Sequence, residues 1–162
     1  MRVVSNTSPI TNLAAIGRLD LLKPVFGSLC VPEAVAAELV RGGKSAPGRV
    51  DIAEIGWISI ESIRDRGLAT SLALELDDGE AEAIALGYEL KANLVLMDER
   101  RGRHAAQKLG LKPLGLLGIL VLAKRRGLLQ EIRPVVDDLI QEAGFWIGRD
   151  LYERVLREVS EI

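Results

Sequence analysis

The apolar positions of this chain change their period several times, and each change marks an element. Val3-Val4-Ser5 is a short apolar run of the kind that forms a buried strand, and Ser8-Pro9 follows with a capping hydroxyl and a proline suited to the first helical position. Residues 28–31 give a second strand, and Pro32 opens a helix that carries Glu38 and that Gly42-Gly43 ends. Residues 57–60 read either as a short strand or as a loop edge, and the pattern leaves the choice open. From 79 to 91 the spacing is helical, and 93–97 is an apolar strand that delivers Asp98 at its carboxyl end. A helix over 100–109, a short strand at 113–114 and helices over 118–126, 135–142 and 150–159 complete the chain. Strands alternating with helices predict an α/β fold of three layers, a central parallel sheet flanked by helices. Residues 44–73, where glycine, proline and charge interrupt every period, are expected to form a mobile lid or a surface excursion.

With 162 residues the chain is the size of one domain, so 1–162 is expected to fold as a unit. Its 48% hydrophobic and 27% charged residues exclude a disordered protein. The longest apolar stretch, 114–123, contains two glycines and falls far below the roughly 20 residues that cross a bilayer. With no secretory core near the start either, a cytoplasmic protein without membrane contacts is expected. Cys30, the single cysteine, suits buried packing. The net charge of −2 gives the whole molecule no attraction for nucleic acid, so any such contact must be local. The local candidate is Arg100-Arg101-Gly102-Arg103-His104 with Lys108, although such a run is most often a solvated helix face.

Several chemistries drop out. Gly42-Gly43-Lys44-Ser45 resembles the end of a phosphate-binding loop, but Glu38 stands where that motif needs its first glycine. Dinucleotide-binding and serine-nucleophile glycine motifs are absent from the sequence, and one histidine with one cysteine cannot build a zinc site of thiolates and imidazoles. Carboxylates remain. Asn6 and Asp98, each just after a strand, should share the carboxyl edge of the sheet, where ligands of parallel α/β proteins sit. Glu38 borders the apolar face of its helix between Ala34 and Val35, although a flank charge is the plainer explanation. Glu80 and Glu82 differ by about 200° around their helix, so only one can face a shared ion. Glu80 shares its side with Gly87, where close approach is possible, whereas Glu82 shares a stripe with Glu89 that looks like a solvated edge. Glu80 is therefore preferred, with a capping box to Asp77 as its alternative role. Clustered carboxylates repel one another unless a cation joins them, which implies Mg²⁺ or Mn²⁺. Such an ion can activate water and stabilise in-line attack on a phosphodiester, and the arginines after Asp98 could hold neighbouring phosphates.

Taken in order, Ser5-Asn6-Thr7-Ser8-Pro9-Ile10, Pro32-Glu33-Ala34-Val35-Ala36-Ala37-Glu38-Leu39, Asp78-Gly79-Glu80-Ala81-Glu82-Ala83-Ile84-Ala85-Leu86 and Leu94-Val95-Leu96-Met97-Asp98 resemble the PIN-domain family, in particular a VapC-like prokaryotic branch opening with D/N-T-S-P. The resemblance spans essentially the whole chain. It implies a three-layer α/β fold, Mg²⁺- or Mn²⁺-dependent endoribonuclease activity, a toxin role beside a cognate antitoxin, and a homodimer. Asn6, Glu38, Glu80 and Asp98 then fall on the acidic, metal-binding positions. Glu38, Glu80 and Asp98 would be catalytic, Thr7 or Ser8 would supply the small hydroxyl, and Arg100, Arg101 and Arg103 would meet substrate. Two residues depart from the pattern: Asn6 stands where active relatives usually carry aspartate, and Leu96 where many carry a hydroxyl residue.

Overall fold

Neighbouring strand residues point to opposite faces of a sheet, and here the alternation sorts the core into two halves. The computed structural model describes residues 1–41 and 49–162. Its five strands, β1 (Val3–Ser5), β2 (Leu29–Pro32), β3 (Ile58–Glu61), β4 (Leu94–Leu96) and β5 (Pro113–Leu114), form one parallel sheet in the order β3-β2-β1-β4-β5. Val3, Leu29, Val31 and Leu96 enter one buried cluster, whereas Val4, Cys30, Val95 and Met97 enter the other. On the first face lie α1 (Thr7–Ala15), α2 (Leu22–Phe26), α7 (Leu116–Arg125), α8 (Arg133–Glu142) and α9 (Arg149–Glu158). On the second lie α5 (Asp78–Leu90) and α6 (Arg100–Lys108), and α4 (Arg66–Leu72) packs on α5. The fold is the three-layer α/β arrangement that the alternation predicts. Helix α3 (Glu33–Arg41) sends Val35 and Leu39 into the first cluster and packs along α5.

The chain winds outward from β1 through β2 to β3, then crosses to the other side of β1 for β4 and β5. The winding direction therefore reverses between β1 and β4, which opens a crevice at their carboxyl ends. The Asn6 N–H donates to the Leu96 carbonyl at 2.9 Å, so the two strand ends are fastened where they diverge.

Several boundaries move from their sequence expectation. Helix α1 begins at Thr7 with Asn6 at the cap position, so Ser8 lies inside the first turn and Pro9 one residue later. The ambiguous segment 57–60 is the edge strand β3, paired with β2 from Leu29↔Ile58 to Pro32↔Glu61. Of the interrupted stretch 44–73, residues 49–73 contribute β3 and α4 rather than a simple lid or excursion, with Asp65 accepting from Leu68 N–H to start α4. The Gly42-Gly43-Lys44-Ser45 motif lies outside the described residues. Helices α2 and α4, of 5 and 7 residues, are too short to show a helical period against a background of single apolar residues. Among the described residues no helix is long and apolar enough to cross a membrane.

Gly87 shows why α5 sits so close to the sheet. A Cβ there would fall 2.9 Å from Val95 Cγ2, and valine is too stiff at χ1 to swing away. Glycine to alanine inside a helix ordinarily stabilises by about 1 kcal/mol. At this position the overlap should dominate, so Gly87→Ala is expected to destabilise by about 1–3 kcal/mol. A lower urea midpoint with an unchanged slope would record it.

Candidate active site

The crevice is lined from three directions by residues that its own topology delivers. At the end of β1, Asn6 is extended (φ −79°, ψ 177°) and its side chain does not cap α1. The Asn6 Oδ1 is buried and has no hydrogen-bond partner among the described residues. The next two residues use their hydroxyls on carboxylates: Thr7 Oγ1 donates to Glu38 Oε2 at 2.6 Å, and Ser8 Oγ donates to Asp98 Oδ2 at 3.1 Å. One turn of chain thus holds an acid from α3 and an acid from the end of β4.

Asp98 is held on its other side as well. Its Oδ1 accepts the Leu116 N–H at 2.7 Å, the first backbone donor of α7. A carboxylate is favoured there by the partial positive charge of a helix N-terminus. Arg103 and Asp98 flank Gly115, where a Cβ would lie 3.2 Å from both Arg103 Nη1 and Asp98 Oδ1. Burial raises the Asp98 carboxyl above its usual range, while the Leu116 N–H, the Ser8 hydroxyl and the Arg103 charge partly oppose that rise.

Glu80 has no comparable support. It is 4% exposed, and its Oε2 has no partner among the described residues. Asp77 caps α5 by accepting the Glu80 N–H at 2.8 Å, and its own backbone N–H offers the Glu80 carboxyl a weak contact in return, so the expected capping box is formed in part. Its carboxylate instead presses on α6: a Cβ at Gly102 would be 2.7 Å from Glu80 Oε2 and 2.8 Å from Met97 Sδ. Burial first, then the neighbouring Asp77 and Glu99 carboxylates, push the Glu80 carboxyl up to about 8. Gly79, one residue earlier, faces Glu38, with a Cβ position 2.7 Å from Glu38 Oε1.

Glu82 is directed elsewhere. Its Oε1 accepts the Ala34 N–H at 3.1 Å near the start of α3, and its Oε2 pairs with Arg66 at 3.3 Å. Glu89 accepts the Arg64 and Asp65 N–H groups. The stripe expected to be a solvated edge therefore anchors backbone donors. Arg100 and Arg101 are exposed on α6, and of the three expected substrate arginines only Arg103 approaches Asp98. Reading the sequence missed Asp77 and Glu99 as charges around Glu80, and missed the α7 N-terminus behind Asp98. The acidic string Asp77-Asp78-Gly79-Glu80 carried the first signal; nothing local marked Leu116 as the donor to Asp98.

The donor set is oxygen only, which is the chemistry of hard divalent cations. Two of its oxygens, Asn6 Oδ1 and Glu80 Oε2, are buried without a donor among the described residues, and a buried carboxylate in that condition is stabilised by a cation. The residues fit such an ion in kind. Among the described residues, however, no three histidine, cysteine, aspartate or glutamate side chains are gathered closely enough to hold one as they stand.

Comparison with known proteins adds a family. A family model described as "DUF3368: PIN domain" matches residues 2–161. Among solved structures, a PilT N-terminus domain protein from the hyperthermophilic archaeon Sulfolobus solfataricus P2 is similar at 17% identity and a TM-score of 0.47, covering 76% of this chain and 92% of that one. No curated protein matches.

The raised Glu80 carboxyl fixes the sign of a pH effect. The unfolded chain releases this proton near the ordinary value of 4.5, whereas the folded chain keeps it up to about 8. The folded state thus binds more protons across that window, and stability falls as pH rises through it. In chelator, Glu80→Gln is expected to exceed the wild type by up to about 5 kcal/mol above the window, with the gap closing as pH falls through it. Urea melts across the pH range check this; a gap that is constant with pH would contradict it.

Proposed function

The chain belongs to the PIN-domain family, and on that premise we propose that it is a metal-dependent endoribonuclease acting at the edge formed by Asn6, Glu38, Glu80 and Asp98. Domains of this family are generally nucleases and typically need a divalent metal. We read residues 1–162 as one such domain in the cytoplasm, using Mg²⁺ or Mn²⁺ to hydrolyse phosphodiester bonds of RNA. We further read it as the toxin component of a type II toxin–antitoxin pair, with a cognate antitoxin as partner. The observation that carries the nuclease reading is the pair of buried oxygens without donors, Asn6 Oδ1 and Glu80 Oε2, at the carboxyl edge of a parallel sheet.

In this reading Asn6, Glu38, Glu80 and Asp98 hold the ion, which supplies Lewis acidity and a water of lowered pKa. The remaining work falls to the chain. Thr7 fixes one oxygen of Glu38 and leaves Oε1 turned toward Gly79. Ser8 and the Leu116 N–H orient Asp98 from two sides, so its rotamer is set before anything binds. Arg103, beside Asp98, receives the phosphate nearest the scissile bond, and the exposed Arg100 and Arg101 meet flanking phosphates. A homodimer is part of the proposal. It is supported by an apolar groove of about 410 Å³ beside the edge strand β5, lined by residues including Leu114, Leu117, Val121, Leu122 and Val155.

A second reading has its own observation. Asn6 is neutral where a carboxylate would add charge, and both oxygens of Asp98 are already bonded within the protein. Those features favour a PIN-like module that binds RNA or protein with little or no cleavage.

Purified protein on a mixed RNA pool separates the two. Cleavage that appears with Mg²⁺ or Mn²⁺ and stops with chelator supports the enzyme. Asp98→Asn and Glu38→Gln are then expected to lower the rate by about a hundredfold or more. The amide at 98 can still accept the Leu116 N–H, so a preserved melting temperature would assign the loss to chemistry rather than to folding.

Asn6→Asp restores one negative charge without lengthening the side chain. It should tighten Mn²⁺ binding by about tenfold, on the order of 1.4 kcal/mol, and raise cleavage. Calorimetric titration of both forms decides it; equal affinity and equal rate would remove Asn6 from the site.

A further inference from the structure

Away from the acidic crevice, α4 and α6 enclose an open groove of about 540 Å³. Its floor and near wall are aliphatic: Leu68, Leu72, Leu76 and Leu109 are partly buried there, and Leu74 at the rim is 83% exposed. The opposite rim is cationic. Arg101, His104 and Lys108 stand at helical spacings of three and four on one stripe of α6, all three are exposed, and none forms an ion pair among the described residues. Glu75 is the one acid on the lining. From Arg101 to Lys108 the stripe covers about 10 Å, two helical turns.

Aliphatic floor and cationic rim together select the occupant. A nucleic-acid strand would find phosphate partners here, but bases need aromatic faces or hydrogen-bonding edges, and His104 is the only ring on the lining. Leucines instead accept the apolar stripe of a helix, whose anchors recur at i, i+3 or i+4, and i+7 over that same length. We propose that this groove docks an acidic amphipathic helix of a protein partner, with leucine or isoleucine anchors on the floor and glutamate or aspartate against Arg101, His104 and Lys108. The proposal uses none of the four acidic-edge residues and shares only Arg101 with the nuclease reading, so the variants below are placed at Leu74, His104 and Lys108 instead. It nevertheless bears on that edge, since α6 also presents Gly102 to Glu80.

The probe is a fluorescein-labelled synthetic helix of about 18 residues, with leucines on one stripe and glutamates flanking them, followed by anisotropy. Three ligands accompany it: the same peptide with serine for leucine, the same peptide with lysine for glutamate, and a single-stranded RNA of similar charge. Saturable binding of the acidic leucine peptide is expected, with both altered peptides weaker by about tenfold or more. Leu74→Asp and the double variant His104→Glu with Lys108→Glu should each raise its Kd by at least about tenfold. These side chains are exposed, so the variants should fold, and unchanged circular dichroism checks it. Equal binding of the serine peptide would reduce the groove to a charge effect and overturn the proposal. So would absence of saturable binding, or RNA that displaces the peptide and depends equally on Leu74, which would give the groove to nucleic acid.

Discussion

Strand β1 is three residues long, yet it must serve both neighbours of a parallel sheet at the point where the winding reverses. Val4 pairs with Cys30 on one side and Val95 on the other, and the Asn6 N–H closes the last bond to Leu96. Everything chemical in the molecule hangs on that junction. A slip by one residue would exchange Val3 with Val4 between the two cores, and it would carry Thr7 and Ser8 away from Glu38 and Asp98. Burial on both faces of the sheet and the aim of three consecutive polar residues are therefore set by the same register.

The two sides of the crevice solve the burial of acid differently. On the β1 side, Glu38 receives a hydroxyl donor and Asp98 a hydroxyl and a backbone donor, so their side chains are held in place. On the α5 side, Glu80 has only a weak contact from the Asp77 N–H, its Oε2 has no partner among the described residues, and it sits among the Asp77 and Glu99 carboxylates, so the protein alone favours its protonated form. Without an added positive charge, the proton on Glu80 is what relieves that crowding of carboxylates. Helix α6 is a shared wall, whose small residue Gly102 abuts Glu80 while its far stripe of cations borders the leucine groove.

How far the sequence could be read depended on how local each cause is. Strand β4 and helix α5 announce themselves through a short apolar run and a long helical period, and the order of strands and helices was enough for the α/β class. Strand β3 was undecidable because it lies at the sheet edge, where Ile60 is half exposed and the alternation is weak. Short α2 and α4 are dictated by tertiary packing rather than by a period of their own. In the crevice, helix geometry said only that one of Glu80 and Glu82 could face inward, and Gly87 and Glu89 on their respective sides gave the preference for Glu80. The uses of Glu82 and Glu89 were not legible, because their partners Ala34, Arg64 and Asp65 lie far away in sequence. The same holds for Asp98, whose donor Leu116 is 18 residues later.

Three glycines touch the acidic side chains: Gly79 at Glu38, Gly102 at Glu80 and Gly115 at Asp98. None of them bears a functional group, yet a Cβ would overlap the carboxylate at Gly79 and Gly102 and crowd it at Gly115. A saturation-mutagenesis map would therefore mark these positions beside the acids, most strongly at Gly102, where Met97 crowds the same space. Intolerance in such a map would trace the outline of the crevice, negative space included, rather than the roster of groups that do its chemistry.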